Sequence, residues 1–247
     1  MTLLLQAQGV TKRFGGLQAL TQVTFDLPEG QILGLIGPNG SGKSTLFNCI
    51  LGQLSADQGN VQVNGQNVAG KRPCDLNKVG VGRTFQMLQV FPQMTVIDNI
   101  ILAAQEHRGN LISRLFSTHD MGLTHEAKEM ADFFGLSHLT QVQAGTLSYG
   151  QQKLLDTAMA FMAGPQLVML DEPAGGVNLT MLANLKERLL ILNRERGATF
   201  VVIEHNMEFV MSLCTRILAL ANGSIIAEGT PEEIQDNPRV IEAYLGD

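Results

Sequence analysis

The order of apolar and polar residues predicts a chain that alternates strands with helices. Between Leu20 and Leu27, Leu20, Val23 and Phe25 are separated by Thr and Gln, as in a strand with one wet face. Pro28-Glu29-Gly30 reads as a turn, and Ile32-Leu33-Gly34-Leu35-Ile36 is unbroken apolar, as expected of a strand covered on both sides. After Gly37 a glycine-rich turn gives way to helical spacing, with Leu46, Phe47, Ile50 and Leu51 on one face. Val61 to Val63 reads as a strand running into an Asn64-Gly65 hairpin turn.

From about Met87 to Ala163 strand signals are sparse. Thr95-Val96-Ile97-Asp98 begins a helix, Thr124 to Ala131 is a second and Ser148 to Met162 a third. Arg108 to Leu123 has no clear period and is expected to be a surface connection. Alternation resumes with a buried strand at Leu167 to Leu170, a helix from Leu179 to Arg196 closed by Gly197, and a β-branched strand at Thr199 to Ile203. Then come Arg216 to Leu220, an Asn222-Gly223 turn, a strand from Ile225 and two short helices, the first capped by Thr230-Pro231-Glu232-Glu233. Buried strands each followed by a helix predict an α/β fold around a parallel sheet. Residues 1–86 and 164–247 would form its core and 87–163 an inserted helical subdomain, all within one domain of 247 residues.

Composition narrows the class. With 45% apolar and 16% charged residues the chain can fold around a core. Its 17 Lys and Arg against 23 Asp and Glu give a net charge of −6, which argues against a nucleic-acid partner. Three cysteines (Cys49, Cys74, Cys214) without close pairing suggest a reducing compartment. The start lacks the charged and apolar regions of a signal peptide, and no apolar run approaches the roughly 18 residues that span a bilayer. The expectation is a soluble, cytoplasmic protein.

Gly37-Pro38-Asn39-Gly40-Ser41-Gly42-Lys43-Ser44 matches G-x-x-x-x-G-K-[ST] between a predicted strand and a predicted helix. In such a loop, glycines let backbone N–H groups turn around phosphate oxygens, the helix start adds partial positive charge, Lys43 reaches the β- and γ-phosphates, and the Ser44 hydroxyl ligates Mg²⁺. A second polar site follows the strand Leu167 to Leu170, which ends in Asp171-Glu172 at the edge where ligands of open α/β sheets bind. Asp171 suits the Mg²⁺ side, and Glu172 suits a general base orienting water on the γ-phosphate.

The helix before that strand opens with Leu147-Ser148-Tyr149-Gly150-Gln151-Gln152. Ser148 and Gln151 have capping-box spacing, and Gly150 in the first turn would let a bare backbone approach an anion. This makes a second phosphate cradle. One nucleotide hardly needs two from one chain, so a head-to-tail dimer is expected, each chain's second cradle closing over the other's ATP.

These motifs, in this order and with Ser148 23 residues before Asp171, make the chain resemble the ATP-binding subunits of ABC transporters over its whole length. The resemblance implies a P-loop NTPase fold of the ABC type, with an antiparallel β subdomain and a helical subdomain carrying the signature. It further implies that Phe14 stacks on adenine, that Gln86 sits at the γ-phosphate and Mg²⁺, and that His205 contacts the γ-phosphate. The candidate nucleotide ligands are then Phe14, Gly37, Pro38, Asn39, Gly40, Ser41, Gly42, Lys43, Ser44, Thr45, Ser148, Gly150 and Gln151. The candidate catalytic set is Glu172, His205 and Gln86, and the candidate Mg²⁺ ligands are Ser44, Gln86 and Asp171. Three departures stand out: Tyr149 and Asn178 where many relatives have Gly and Asp, and Met159 where many have Arg.

The match is finer still in Phe14-Gly15-Gly16-Leu17, Arg83-Thr84-Phe85-Gln86, Glu204-His205-Asn206-Met207 and Asn237 to Gly246. These are similar to the larger ATPase subunit of importers for branched-chain and other neutral amino acids; urea or amide importers and a lipopolysaccharide-export ATPase share much of the pattern. The resemblance implies membrane permease partners, a second ATPase subunit (identical or a paralogue), a periplasmic binding protein acting indirectly, and a peripheral place on the cytoplasmic face of the inner membrane. The apolar run Met87, Leu88, Val90, Phe91, Pro92 and Met94 suggests a contact for a membrane subunit, with packing inside the helical subdomain as the other reading. A soluble ABC mechanoenzyme would need heptads or cysteine pairs, which do not occur, and a small-molecule kinase would not need the second cradle.

Overall fold

A computed structural model describes residues 2–84, 90–105, 121–162 and 164–245. The first element is a hairpin of β1 (Leu3–Phe14) and β2 (Leu17–Pro28). Only β2 is legible in the alternation, because register shifts along β1 scramble which side chains face inward. β1 also pairs with β4 (Gln58–Val63), which turns through Asn64 and Gly65, both at positive φ, into β5 (Gln66–Asn67). The antiparallel sheet so formed is ordered β2-β1-β4-β5.

The second sheet contains β3 (Ile32–Ile36), β6 (Val81–Arg83), β7 (Leu167–Asp171), β8 (Thr199–Ile203), β9 (Arg216–Ala221) and β10 (Ser224–Gly229), in the order β10-β9-β3-β8-β7-β6. All neighbouring pairs are parallel except β9–β10, as expected for strands linked through helices. Leu35 and Asp171 both pair with Ile203, so the carboxyl ends of β3, β7 and β8 reach the same edge.

Alternate residues of this sheet enter two separate cores. Leu33, Leu35, Leu167, Met169, Val201 and Ile203 face the antiparallel sheet and α1 (Lys43–Ile50). Ile32, Ile36, Val168, Leu170, Phe200 and Val202 face a helical layer. That layer draws on α3 (Val96–Gln105), α4 (Met121–Phe133), α5 (Tyr149–Phe161), α6 (Leu179–Arg196) and α7 (Met207–Leu213). A strand buried on both faces must be apolar at every position, which is why these segments read as continuous runs. The short α2 (Pro73–Lys78), α8 (Pro231–Gln235) and α9 (Pro238–Leu245) complete the α-helices among the described residues.

Apart from one bridge between Thr95 and Gln143, the described residues from 90 to 162 carry no strand. The surface connection expected over Arg108 to Leu123 falls mostly outside the described residues; its last part, Met121 to Leu123, is instead the first turn of α4, with Leu123 buried in the core. α6 ends as expected at Gly197, in left-handed conformation, with Arg194 and Arg196 in its last turn. Among the described residues no helix is long and apolar enough to cross a membrane.

Candidate functional site

At the carboxyl end of β3 the chain enters the glycine-rich loop. Gly37 has φ 145°, and a Cβ there would lie 2.1 Å from the Leu220 carbonyl oxygen, so no other residue fits. Gly42 is the N-cap of α1 at φ 104°, and no side chain caps it, which leaves the helix's first N–H groups open. The Lys43 side chain is buried and folds back over the loop, its Nζ donating to the carbonyls of Gly37 (2.7 Å) and Pro38 (2.9 Å). Burial lowers the Lys43 pKa, partly offset by the charge of Glu172. An uncapped helix start beside a buried ammonium fits a phosphate group. Ser44 is exposed at the first turn, as a metal-ligating hydroxyl would need to be.

The acids follow at the end of β7. The Asp171 carboxylate is partly buried and lies 3.9 Å from the Arg83 guanidinium. Burial raises its pKa, opposed by Arg83. Glu172 adopts a left-handed backbone, φ 47°, uncommon for a residue with a side chain. Three partners hold that conformation: its N–H donates to Ile203, and its carbonyl accepts from Gly175 N–H and from the buried Lys153 Nζ at 3.0 Å. The carboxylate is thereby aimed at His205, whose Nε2 is 3.2 Å from Glu172 Oε1. His205 itself follows β8, where the buried Glu204 accepts hydrogen bonds from the N–H groups of Ala174, His205 and Asn206. Lys153 carries no motif of its own, and Glu204 entered the sequence reading only as part of Glu204-His205-Asn206-Met207, with no role assigned to it.

The second cradle differs from expectation. Ser148 caps α5, accepting from Gln151 N–H, while the Gln151 side chain accepts from Ser148 N–H. The sequence predicted a bare backbone at Gly150, yet Gly150 is buried and a Cβ there would meet Met181 Sδ of α6 at 2.4 Å. A Cβ at Gly150 would have to displace the flexible Met181 side chain, so the glycine serves close packing within the chain as well. Tyr149, about half exposed, lies over Gly176, where a Cβ would stand 2.7 Å from its ring. Tyr149 of the signature and Gly176 after Glu172 thus form one packing unit. Asn178 caps α6 by accepting from Met181 N–H.

Phe14 is the last residue of β1; the tight hairpin and the Asp57 contacts with Arg13 N–H and Lys12 extend the strand to this point. Its ring is 46% exposed, with Lys12 Nζ 5.7 Å from the ring centre, and is available for stacking. The returning strand β2 passes the phosphate loop, its Ala19 carbonyl 2.6 Å from where a Gly42 Cβ would lie. Gln86 lies outside the described residues, as do Met87 and Leu88. Of the apolar run beyond them, Val90 packs on the core while Phe91 is 48% exposed. The buried Asn99 of α3 fixes this segment: its amide donates to the carbonyls of Phe91 and Thr95 and accepts from Phe91 N–H. Met159, the third departure, packs against the helical-layer core, which needs no charge there.

A P-loop on a parallel sheet, with two acids and a histidine on the neighbouring strand ends, defines the class as a P-loop nucleotide hydrolase. The family described as ABC transporter matches residues 20–175, and that of the branched-chain amino acid ATP-binding cassette transporter matches residues 224–247. The chain is 39% identical to the high-affinity branched-chain amino acid transport ATP-binding protein BraF of Pseudomonas aeruginosa, covering 99% of this chain and 98% of that one. The ADP conformation of MJ1267, an ATP-binding cassette of an ABC transporter, is similar at a TM-score of 0.88 and 33% identity over 100% of both chains. A dimeric, post-hydrolysis cassette, MJ0796 bound to ADP and phosphate, is similar at a TM-score of 0.79 and 25% identity, over 92% of this chain and 98% of that one. The chain belongs to the ABC transporter ATP-binding family, binds nucleotide and is an ATPase.

Proposed function

We propose that the chain powers an importer of branched-chain or other neutral amino acids from the cytoplasmic face of the membrane. The observation that carries the substrate class is the match of residues 224–247, the stretch of β10, α8 and α9, to the branched-chain transporter family. The partners in this reading are two membrane permease subunits, a second ATPase subunit in head-to-tail contact and, indirectly, a periplasmic binding protein. The core of 1–86 and 164–247 binds ATP, and residues 87–163 carry the signature and the permease contact.

In the proposed reaction the loop Gly37 to Ser44, with Thr45, holds the phosphates and Phe14 stacks on the base. Mg²⁺, held by Ser44, Asp171 and Gln86, would neutralise charge on the β- and γ-phosphates. Ser44, exposed at the start of α1, and Asp171, at the end of β7, offer oxygen donors that would suit Mg²⁺, with phosphate and water completing its shell. Glu172 accepts the proton of the attacking water, and His205 beside it contacts the γ-phosphate. Ser148, Gly150 and Gln151 of the opposing chain complete the cradle.

Phe91 supports the permease contact, since the surrounding backbone is bolted to Asn99 while the ring stays exposed. The test is reconstitution with the permeases in vesicles. Uptake of leucine dependent on ATP and on a periplasmic leucine-binding protein is expected, whereas uptake of urea alone would reassign the substrate. Phe91→Glu should lower transport about tenfold or more while ATP binding stays within twofold, the mark of a buried aromatic interface anchor. Loss of ATP binding in that variant would favour packing inside the helical subdomain.

A further inference from the structure

The first N–H of the phosphate loop is not available to an anion. Gly37 N–H donates to the hydroxyl of Tyr244, 2.8 Å away, from a residue 207 positions later in the chain. Gly37 is thus held from three sides. Its carbonyl accepts from Lys43, its α-carbon lies against the Leu220 carbonyl, and its N–H is fixed by the C-terminal helix. The bond to Tyr244 alone comes from outside the sheet and loop. α9 is anchored by the buried Val240, so the hydroxyl is delivered by a docked element. The ring of Tyr244 also borders an apolar cleft of about 710 Å³ shared with Met207, Met211 and Ile234. Met207 begins α7 two residues after His205, so one tyrosine stands between the segments that carry Lys43 and His205.

We infer that Tyr244 is a positioning residue for ATP: its hydroxyl fixes the Gly37 peptide so that the loop is set before nucleotide arrives. This rests on the reading of Gly37 to Ser44 as the nucleotide site. Without the hydroxyl, the Gly37 N–H loses its acceptor, so the Ile36–Gly37 peptide can turn, and rotation about the glycine's own bonds can then shift the following carbonyl, on which Lys43 rests. A loop disordered in this way binds ground state and transition state equally poorly, so the effect falls on KM and leaves kcat alone.

The experiment uses the full chain and the assembled transporter. Tyr244→Phe keeps the ring and its packing and removes one oxygen. It should weaken ATP binding, measured by calorimetry, by about 3- to 10-fold, the usual net worth of one hydrogen bond. KM for ATP should rise by the same factor, with kcat within twofold and the melting temperature lowered by no more than about 2–4 °C, the cost of one lost hydrogen bond. Lys43→Ala is run beside it. If Lys43→Ala has lost ATP binding while Tyr244→Phe binds like the parent, the role of Tyr244 is overturned and the loop assignment survives. If Lys43→Ala still binds ATP normally, the loop assignment falls and this inference with it. A Tyr244→Phe variant in which kcat and melting temperature drop together would make the tyrosine merely structural, and would also overturn it.

Discussion

Two helix starts, α1 and α5, are the proposed phosphate cradles of this chain, and they are built in opposite ways. α1 begins at a left-handed glycine with no side-chain cap, and its N–H groups await a ligand. α5 begins with a closed capping box between Ser148 and Gln151, and its glycine is packed against Met181. The helix dipole is the same in both; what differs is whether the chain has already satisfied its own donors. A start left open binds an anion unaided. A start that is closed gains little from an anion unless a partner surface repositions it. In the proposed reading, the difference lets one chain bind nucleotide by itself while a second copy completes the site.

The largest effect that tests this contrast is Glu172→Gln, beside the open start. Hydrolysis should slow by about 10²–10⁴ with ATP affinity retained, the usual contribution of a general base. Near-normal turnover would remove Glu172 from that role and leave the left-handed backbone at this position without a catalytic purpose. Next in size is Gly150→Ala at the closed start. Turnover by the dimer should fall about tenfold, toward the upper range of a helix-terminus interaction, with ATP binding by a single chain unchanged. Combining it with Met181→Ala sharpens the result: recovery of turnover would reduce Gly150 to a packing residue. Ser148→Ala should have the smallest effect, costing about 1 kcal/mol of stability and about 2–4 °C of melting temperature through the lost cap. Calorimetric scans showing no change would mean that the box is already open in solution.

Much of this arrangement was legible in the sequence, and what was not has physical reasons. The buried strands, the phosphate loop, the Asn64-Gly65 turn and the Ser148 cap are local, each set by residues a few positions apart. β1 was obscured by its register shifts, and α7 by its seven-residue length, too short to show a period. At the site, the motifs announced Lys43, Ser44, Asp171 and Glu172. Lys153, Tyr244 and, through Ala174, Glu204 act on backbone groups that become neighbours only after the sheet has formed, and no spacing rule connects Tyr244 to Gly37. Gly150 shows the opposite failure, since its motif was plain and only the structure reveals Met181 over it.

Asn99 has a mechanical consequence. Because its amide grips the backbone on either side of Pro92, Gln93 and Met94, the segment bearing Phe91 cannot yield independently of α3. A sideways push on that ring is therefore carried into the helix as a lever's displacement, instead of being absorbed as slack in a loop.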